Sequence, residues 1–331
     1  MSEKQFFLKY GFVLILTFCL ISGFQWNVQS KETERLSFSD NHQLFLLSTN
    51  NKQTNTVNKV EIHGDGNIEK WAVIIVAGGG VGYGAHERAD RNDVRKLTKV
   101  LLNTGWDEDH ILFLLEEQAT YEAIMNDSFS WLRLQGEDED DLVLYLFSGH
   151  GYYHTTDEPP LDEPDGRDEI IHPWDPDMAG WNPDLFILDD QFKDKFDLLH
   201  SKNLVIVICT CHAGGFIDGS YDLAESGRVV LVSCDVDESS WRTTIPYDWI
   251  FPYYFIKGLQ GYADKNNDDL ISAEELFEYT VEPVQIRANL LSYFKRTIPL
   301  GSSSQHPQMY DGWPSDKDNT DELILVDLGS S

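Results

Sequence analysis

Two apolar runs constrain the fold of this 331-residue chain more than anything else in it. One is DLVLYLFSGHG, Asp141 to Gly151, and the other is LVIVICTCHAGGF, Leu204 to Phe216. In each, β-branched and large apolar residues lead straight into a small, Gly-rich turn with one reactive side chain, His150 or Cys211. Continuous apolar runs of this kind read as strands of a parallel sheet buried on both faces. In such sheets chemistry gathers at the carboxyl ends of the strands. A thiol and an imidazole delivered there by neighbouring strands are the parts of a cysteine nucleophile and its base.

The rest of the chain fits that frame. From Trp71 strand and helix signals alternate, which marks an α/β fold. Strands are expected at Trp71–Val76, Ile111–Leu115, Leu142–Phe147, Leu204–Ile208 and Val229–Ser233, with Glu322–Leu328 as a late sheet strand. Helical spacing runs through Arg88–Asn103 and Tyr121–Leu134. The expected architecture is a three-layer α/β/α sandwich with a mainly parallel sheet.

Tyr10 to Ser30 carries no charge and follows Lys4 and Lys9, so residues 1–30 read as a signal peptide or an uncleaved membrane anchor. Residues 31–68 are polar and read as a spacer that holds the domain off the membrane. The implied location is outside the cell, secreted or membrane-anchored. A net charge of −31 argues against nucleic acid as a partner. Beyond the N-terminal segment only Cys209, Cys211 and Cys234 remain, an odd number that leaves a thiol free and argues against a disulfide scaffold.

Two other chemistries fit parts of this sequence less well. Gly78–Gly84 follows a strand, but it lacks the GxGxxG spacing of a dinucleotide loop. Cys209, Cys211, His212 and Cys234 are zinc-capable, yet C-T-C-H lacks a second ligand pair at zinc spacing.

Taken together, these blocks resemble the caspase–hemoglobinase superfamily of cysteine peptidases, with metacaspases closest and legumain-type peptidases second. The resemblance runs from about Glu69 to Leu328, giving a peptidase domain over 69–329. Ser148–Gly151 is similar to the family's histidine block, which makes His150 the general base. Cys209–Gly215 is similar to the metacaspase nucleophile block, which makes Cys211 the nucleophile. The amides of Gly151 and Cys211 would then form the oxyanion hole. Arg91–Val94 is similar to a segment carrying a pocket acid, here Asp93, and Ser233–Ser240 to the loop that shapes the specificity pocket. Cys209 stands where metacaspases place a second pocket acid. Asp93 still matches the other pocket acid, so the resemblance implies Lys or Arg at P1, held by Asp93 with Asp235 or Asp237 and weakened by the Cys209 replacement. His86 stands at the approximate place of the legumain pocket arginine, which does not support Asn or Asp at P1.

Two acidic stretches point to calcium. Asp157 to Asp197 holds fourteen carboxylates against Arg167, Lys193 and Lys195. A solvated acidic loop is the plain reading. The resemblance instead implies an activating Ca²⁺ site from Asp165 or Asp168, with Asp189, Asp190 and Asp218. The second stretch, DKNNDDLISAEE at 264–275, resembles an EF-hand loop. Asp264, Asn266 and Asp268 fall at positions 1, 3 and 5, the Leu270 carbonyl at 7, Ser272 at 9 and Glu275 at 12. Asp269 stands where glycine is usual. Ser272 and Glu275 also spell a capping box, so a helix start is expected there as well. The resulting expectation is a calcium-binding cysteine endopeptidase acting on polypeptides. The contrasting one is a catalytically silent calcium-binding module on the same fold.

Overall fold

The computed structural model of the chain describes residues 63–78, 84–174, 185–242, 249–295, 304–314 and 321–330. The N-terminal segment, most of the spacer, most of the glycine-rich loop and the side chain of His86 lie outside the described residues.

Strands β1 (Lys70–Ala77), β2 (Ile111–Leu115), β3 (Leu142–Tyr153), β6 (Asn203–Cys209) and β7 (Arg228–Val232) form a parallel core in the order β2-β1-β3-β6-β7. The cause is the sequence of these strands. Residues 71–77 and 204–209 are buried at every position, so both faces need apolar side chains, and covering helices supply the other layers. Two of those helices are α1 (Gly84–Asn103) and α4 (Ile250–Lys257). Val94, Leu97, Leu101, Phe251 and Phe255 from them join one buried cluster with Ile74, Leu144 and Val207 of the sheet. Tyr121–Leu134 is helical as expected, with a π-turn at Ala123–Asp127 before α2 (Ser128–Gln135).

Three features depart from the local sequence signal. First, the SGHG block is not a turn: β3 runs on through His150 to Tyr153. It does so because β4 (Glu169–His172) pairs antiparallel with it, His150 opposite His172 and Tyr153 opposite Glu169. Second, the acidic insertion is built rather than loose. It holds β4, β5 (Ile187–Leu188) and α3 (Asp189–Phe196), and the two acids that open α3 sit at its positive end. Third, the late strand does not join the central sheet. β10 (Ile324–Asp327) pairs antiparallel with β8 (Leu270–Ser272), inside the EF-hand-like loop. The sheet edge beyond β7 is taken instead by β9 (Gln308–Asp311), antiparallel, whose mixed polar residues give no local strand signal. Helix α5 (Ala273–Lys295) follows β8 directly.

No helix among the described residues is long and apolar enough to cross a membrane.

Candidate active site and acidic centre

β3 and β6 are parallel neighbours whose last paired residues are Ser148 and Cys209. Two positions further along each chain stand His150 and Cys211. Adjacent strands lie about 4.8 Å apart, so equal offsets bring the two residues to the same end of the sheet. Gly151 closes the gap. A Cβ added there would lie 2.4 Å from the Cys211 carbonyl oxygen and 2.6 Å from Thr210 Oγ1. Only glycine lets the two backbones approach this closely.

The turn after β6 is clamped from behind. The Thr210 carbonyl accepts from Ser233 Oγ at 3.0 Å and from Cys234 Sγ at 3.2 Å. His212 holds a left-handed backbone (φ 59°), uncommon outside glycine. Its amide donates to the Glu238 carbonyl at 2.8 Å, and its Nδ1 lies 2.6 Å from the Val236 carbonyl. These bonds tie His212 to the loop behind the turn.

Burial sorts the three cysteines. Cys211 is partly exposed, whereas Cys209 and Cys234 are buried. Burial, with Asp93 nearby, raises the Cys209 thiol well above its usual range, and burial pushes Cys234 up to about 12. Both stay protonated and unreactive at neutral pH. Burial and the neighbouring His172 lower His150 below the ordinary histidine value, while a hydrogen bond to the Gly78 backbone opposes the shift. A neutral imidazole results, held in place by β1's end and able to take a proton.

Of the predicted pocket residues, Asp93 is buried beside Cys209, with Lys96 Nζ 3.7 Å from its Oδ1. Asp235 belongs to the loop packed on Gly214, where an added Cβ would meet the Val236 amide nitrogen at 2.4 Å. Asp237 is exposed. The pocket wall has supports that no motif announced. Gln305 Nε2 donates to the Ser233 carbonyl at 2.9 Å, and His306 Nδ1 lies 2.6 Å from Glu238 Oε1. They are separated in sequence by roughly seventy residues, so no spacing rule reveals them.

The acidic insertion folds its carboxylates together beside this turn. Four groups of three acids have ligand oxygens within 4.8 Å of one another: Asp168–Asp189–Asp190, Glu163–Glu169–Asp189, Glu163–Asp218–Asp222 and Asp162–Asp190–Asp222. Asp168, Asp189 and Asp190 meet as predicted, and Asp168 rather than Asp165 is the member there. Asp165 is exposed, 3.8 Å from Arg167. Asp218 meets Glu163 and Asp222 instead of the first group. Asp162, Glu163, Glu169 and Asp222 were not anticipated; the motif aligned only part of a constellation that folding completes.

Asp190 Oδ1, Asp222 Oδ1 and both oxygens of Glu163 and Glu169 are buried without a hydrogen-bond partner. Burial and the neighbouring carboxylates push Asp190 and Asp222 up to about 7, Glu163 and Glu169 up to about 10, and Asp189 well above the usual range. Hard oxygens gathered and orphaned in this way suit a calcium ion, so the donor set fits the metal that the resemblance implies. Among the described residues, the groups of three or more metal-capable side chains consist of Asp and Glu alone.

The loop at 264–275 folds around its first aspartate. Asp264 Oδ1 accepts from the amides of Asn267 (2.7 Å) and Asp268 (3.2 Å), and its Oδ2 from that of Asp269 (3.2 Å). Asp269 adopts φ 64°, taking the left-handed turn that glycine usually makes. Ser272 Oγ accepts from the Glu275 amide at 2.9 Å, and Glu275 Oε2 lies 3.5 Å from the Ser272 amide, the expected capping box at the start of α5.

Comparison with known proteins bears on part of this architecture. Residues 70–220 match the family description "Metacaspase, peptidase C14 domain". That stretch is metacaspase-like. It is 30% identical over 151 residues to Metacaspase-1 of Candida albicans and 31% identical over 151 residues to Metacaspase-1 of Lodderomyces elongisporus. Each match covers 42% of this chain and 32% of the relative, so the chain spans about a third of the relatives it matches. A solved structure from Geobacter sulfurreducens overlaps 73% of this chain and 92% of its own, at 13% identity and a TM-score of 0.47. The metacaspase-like stretch contains His150, Cys211 and all the clustered acids except Asp222. The pocket loop and the EF-hand-like loop lie beyond it.

Proposed function

We propose that this chain is a calcium-dependent cysteine endopeptidase. The observation that carries the reading is the placement of His150 and Cys211 at equal offsets past the last pair of two parallel strands. In the reaction, Cys211 Sγ gives its proton to His150 and bonds to the scissile carbonyl carbon, and His150 passes that proton to the leaving amine as the C–N bond breaks. Water then attacks the thioester carbonyl, His150 takes a proton from it, and the C–S bond breaks as His150 returns the proton to Cys211 Sγ, releasing the carboxylic acid product. The amides of Gly151 and Cys211 serve as oxyanion donors, an assignment supported by the close approach of Gly151 to the Thr210–Cys211 backbone.

Asp168, Asp189 and Asp190, with Asp218 nearby, hold calcium in this account. The ion supplies positive charge that lets these carboxylates ionise together. The residues then do the positioning. Asp189 and Asp190 fix the start of α3, and Asp218 anchors the loop seven residues after the nucleophile. The EF-hand-like loop binds a separate calcium, a reading supported by the Asp264 amide bonds and by Asp269 at positive φ. Its role is to staple β8 to β10. Asp93 and Asp235 favour Arg or Lys at P1, in a pocket where Lys96 already offsets part of the charge of Asp93. The N-terminal segment directs export, with the domain outside the cell.

Labelling with an electrophilic peptide and mapping by mass spectrometry tests the reading. Modification at Cys211, lost on preincubation with a thiol reagent, is expected. A protein that binds calcium yet resists labelling would be the catalytically silent module instead.

A further inference from the structure

The acidic centre holds more carboxylates than one ion can use. Oxygens that share a calcium lie about 2.3–2.6 Å from it, so two of them are at most roughly 5 Å apart. Asp168 immediately precedes β4 and Glu169 opens it, and in extended backbone neighbouring side chains project to opposite sides. They accordingly fall into different groups, Asp168 with Asp189 and Asp190, Glu169 with Glu163 and Asp189. Asp189 belongs to both.

Glu169 is the decisive residue. It is 1% exposed, and neither carboxylate oxygen has a hydrogen-bond partner. An ionised carboxylate buried without compensation is strongly unfavourable, so such a group needs either a proton or a cation. An ion among Asp168, Asp189 and Asp190 leaves Glu169 unserved. The same holds for Glu163, whose two buried oxygens also lack partners. Glu169 also abuts the nucleophile's turn: a Cβ added to Gly215 would lie 1.9 Å from its Oε2. Glu163 in turn joins Asp218 and Asp222, further along the same loop.

We infer that the centre takes two divalent cations, the second held by Glu163 and Glu169, with Asp189 bridging it to the first. This rests on the reading of the centre as a calcium site and extends it. The second ion is the one that touches the loop carrying Cys211, four residues before Gly215.

Calorimetric titration of the full chain with calcium alone tests this, in a Glu275→Ala background that removes the EF-hand-like loop from the count. Two ions per chain are expected. Glu169→Gln should reduce the count to one, and Asp189→Asn should weaken both by at least tenfold. Should Glu169→Gln fail to fold, Glu163→Gln is expected to give the same loss. A count of one that Glu169→Gln leaves unchanged would overturn the second site while the single-ion reading stands. Zero ions in the Glu275→Ala background would overturn both.

Discussion

The surroundings of His150 and Cys211, the proposed dyad, differ from those of the other histidines and cysteines near them. Cys211 is the partly exposed thiol, while burial keeps Cys209 and Cys234 protonated. His150 is kept neutral by burial and by His172 across the β3–β4 pair. Replacing it with glutamine keeps a polar side chain but removes the proton carrier. His150→Gln should therefore lower kcat by about 10²- to 10⁴-fold in peptide hydrolysis, with the folded state retained. Undiminished turnover would remove His150 from the mechanism. Specificity also belongs at this scale. A peptide library should be cut after Arg or Lys, and Asp93→Asn should raise KM for such substrates more than it lowers kcat. A profile dominated by Asp or Asn at P1 would contradict that pocket. His150 and Cys211 were visible in the sequence because each sits in a short Gly-containing block directly after a continuous apolar run. Gln305 and His306 were not, since their contacts with Ser233 and Glu238 exist only after the chain has closed on itself.

Elements would carry the coupling between the proposed cation and the site. Asp189 and Asp190 open α3, and Asp222, grouped with Asp162 and Asp190, lies in the loop that follows β6 and Cys211, so a cation among these acids would tie helix and loop together. β8 and β10 form a separate two-stranded sheet around the EF-hand-like loop. Asp190→Ala should thus cut calcium-dependent hydrolysis severely, even at low temperature where the folded state persists. Glu275→Ala should instead reduce the calcium-induced rise in Tm, through linkage to the native state, and spare turnover at low temperature. Equal effects of the two variants on both readouts would refute separable sites. The parallel strands were readable because continuous burial writes itself as continuous apolar sequence. β4 and β9 were hidden for the opposite reason. Each is four residues long, and each is stabilised by its partner strand rather than by its own pattern. The missed β4 also explains why SGHG looked like a turn.

The whole molecule carries a net charge of −31 and concentrates part of it in one buried centre. Without calcium, that centre sets how stability follows pH. Asp190 and Asp222 rise to about 7, and Glu163 and Glu169 to about 10, each above its unfolded value near 4. Groups raised in this way bind more protons in the folded state, so their contribution is present in acid and is lost as pH rises through the folded values. In chelator, Tm should fall between about pH 5 and pH 8. Saturating calcium should flatten or reverse the slope, since protons and calcium compete for the same oxygens. A Tm that rises with pH in chelator would show that these acids are ionised and satisfied without a metal. The central claim concerns Cys211, and hydrolysis of an Arg-containing peptide by purified protein in calcium tests it most directly. Cys211→Ala should reduce the rate by at least about 10³-fold, the scale expected when a nucleophile is lost, while Cys209→Ala retains most of it. Wild-type activity in Cys211→Ala, or its loss only in Cys209→Ala, would contradict the account.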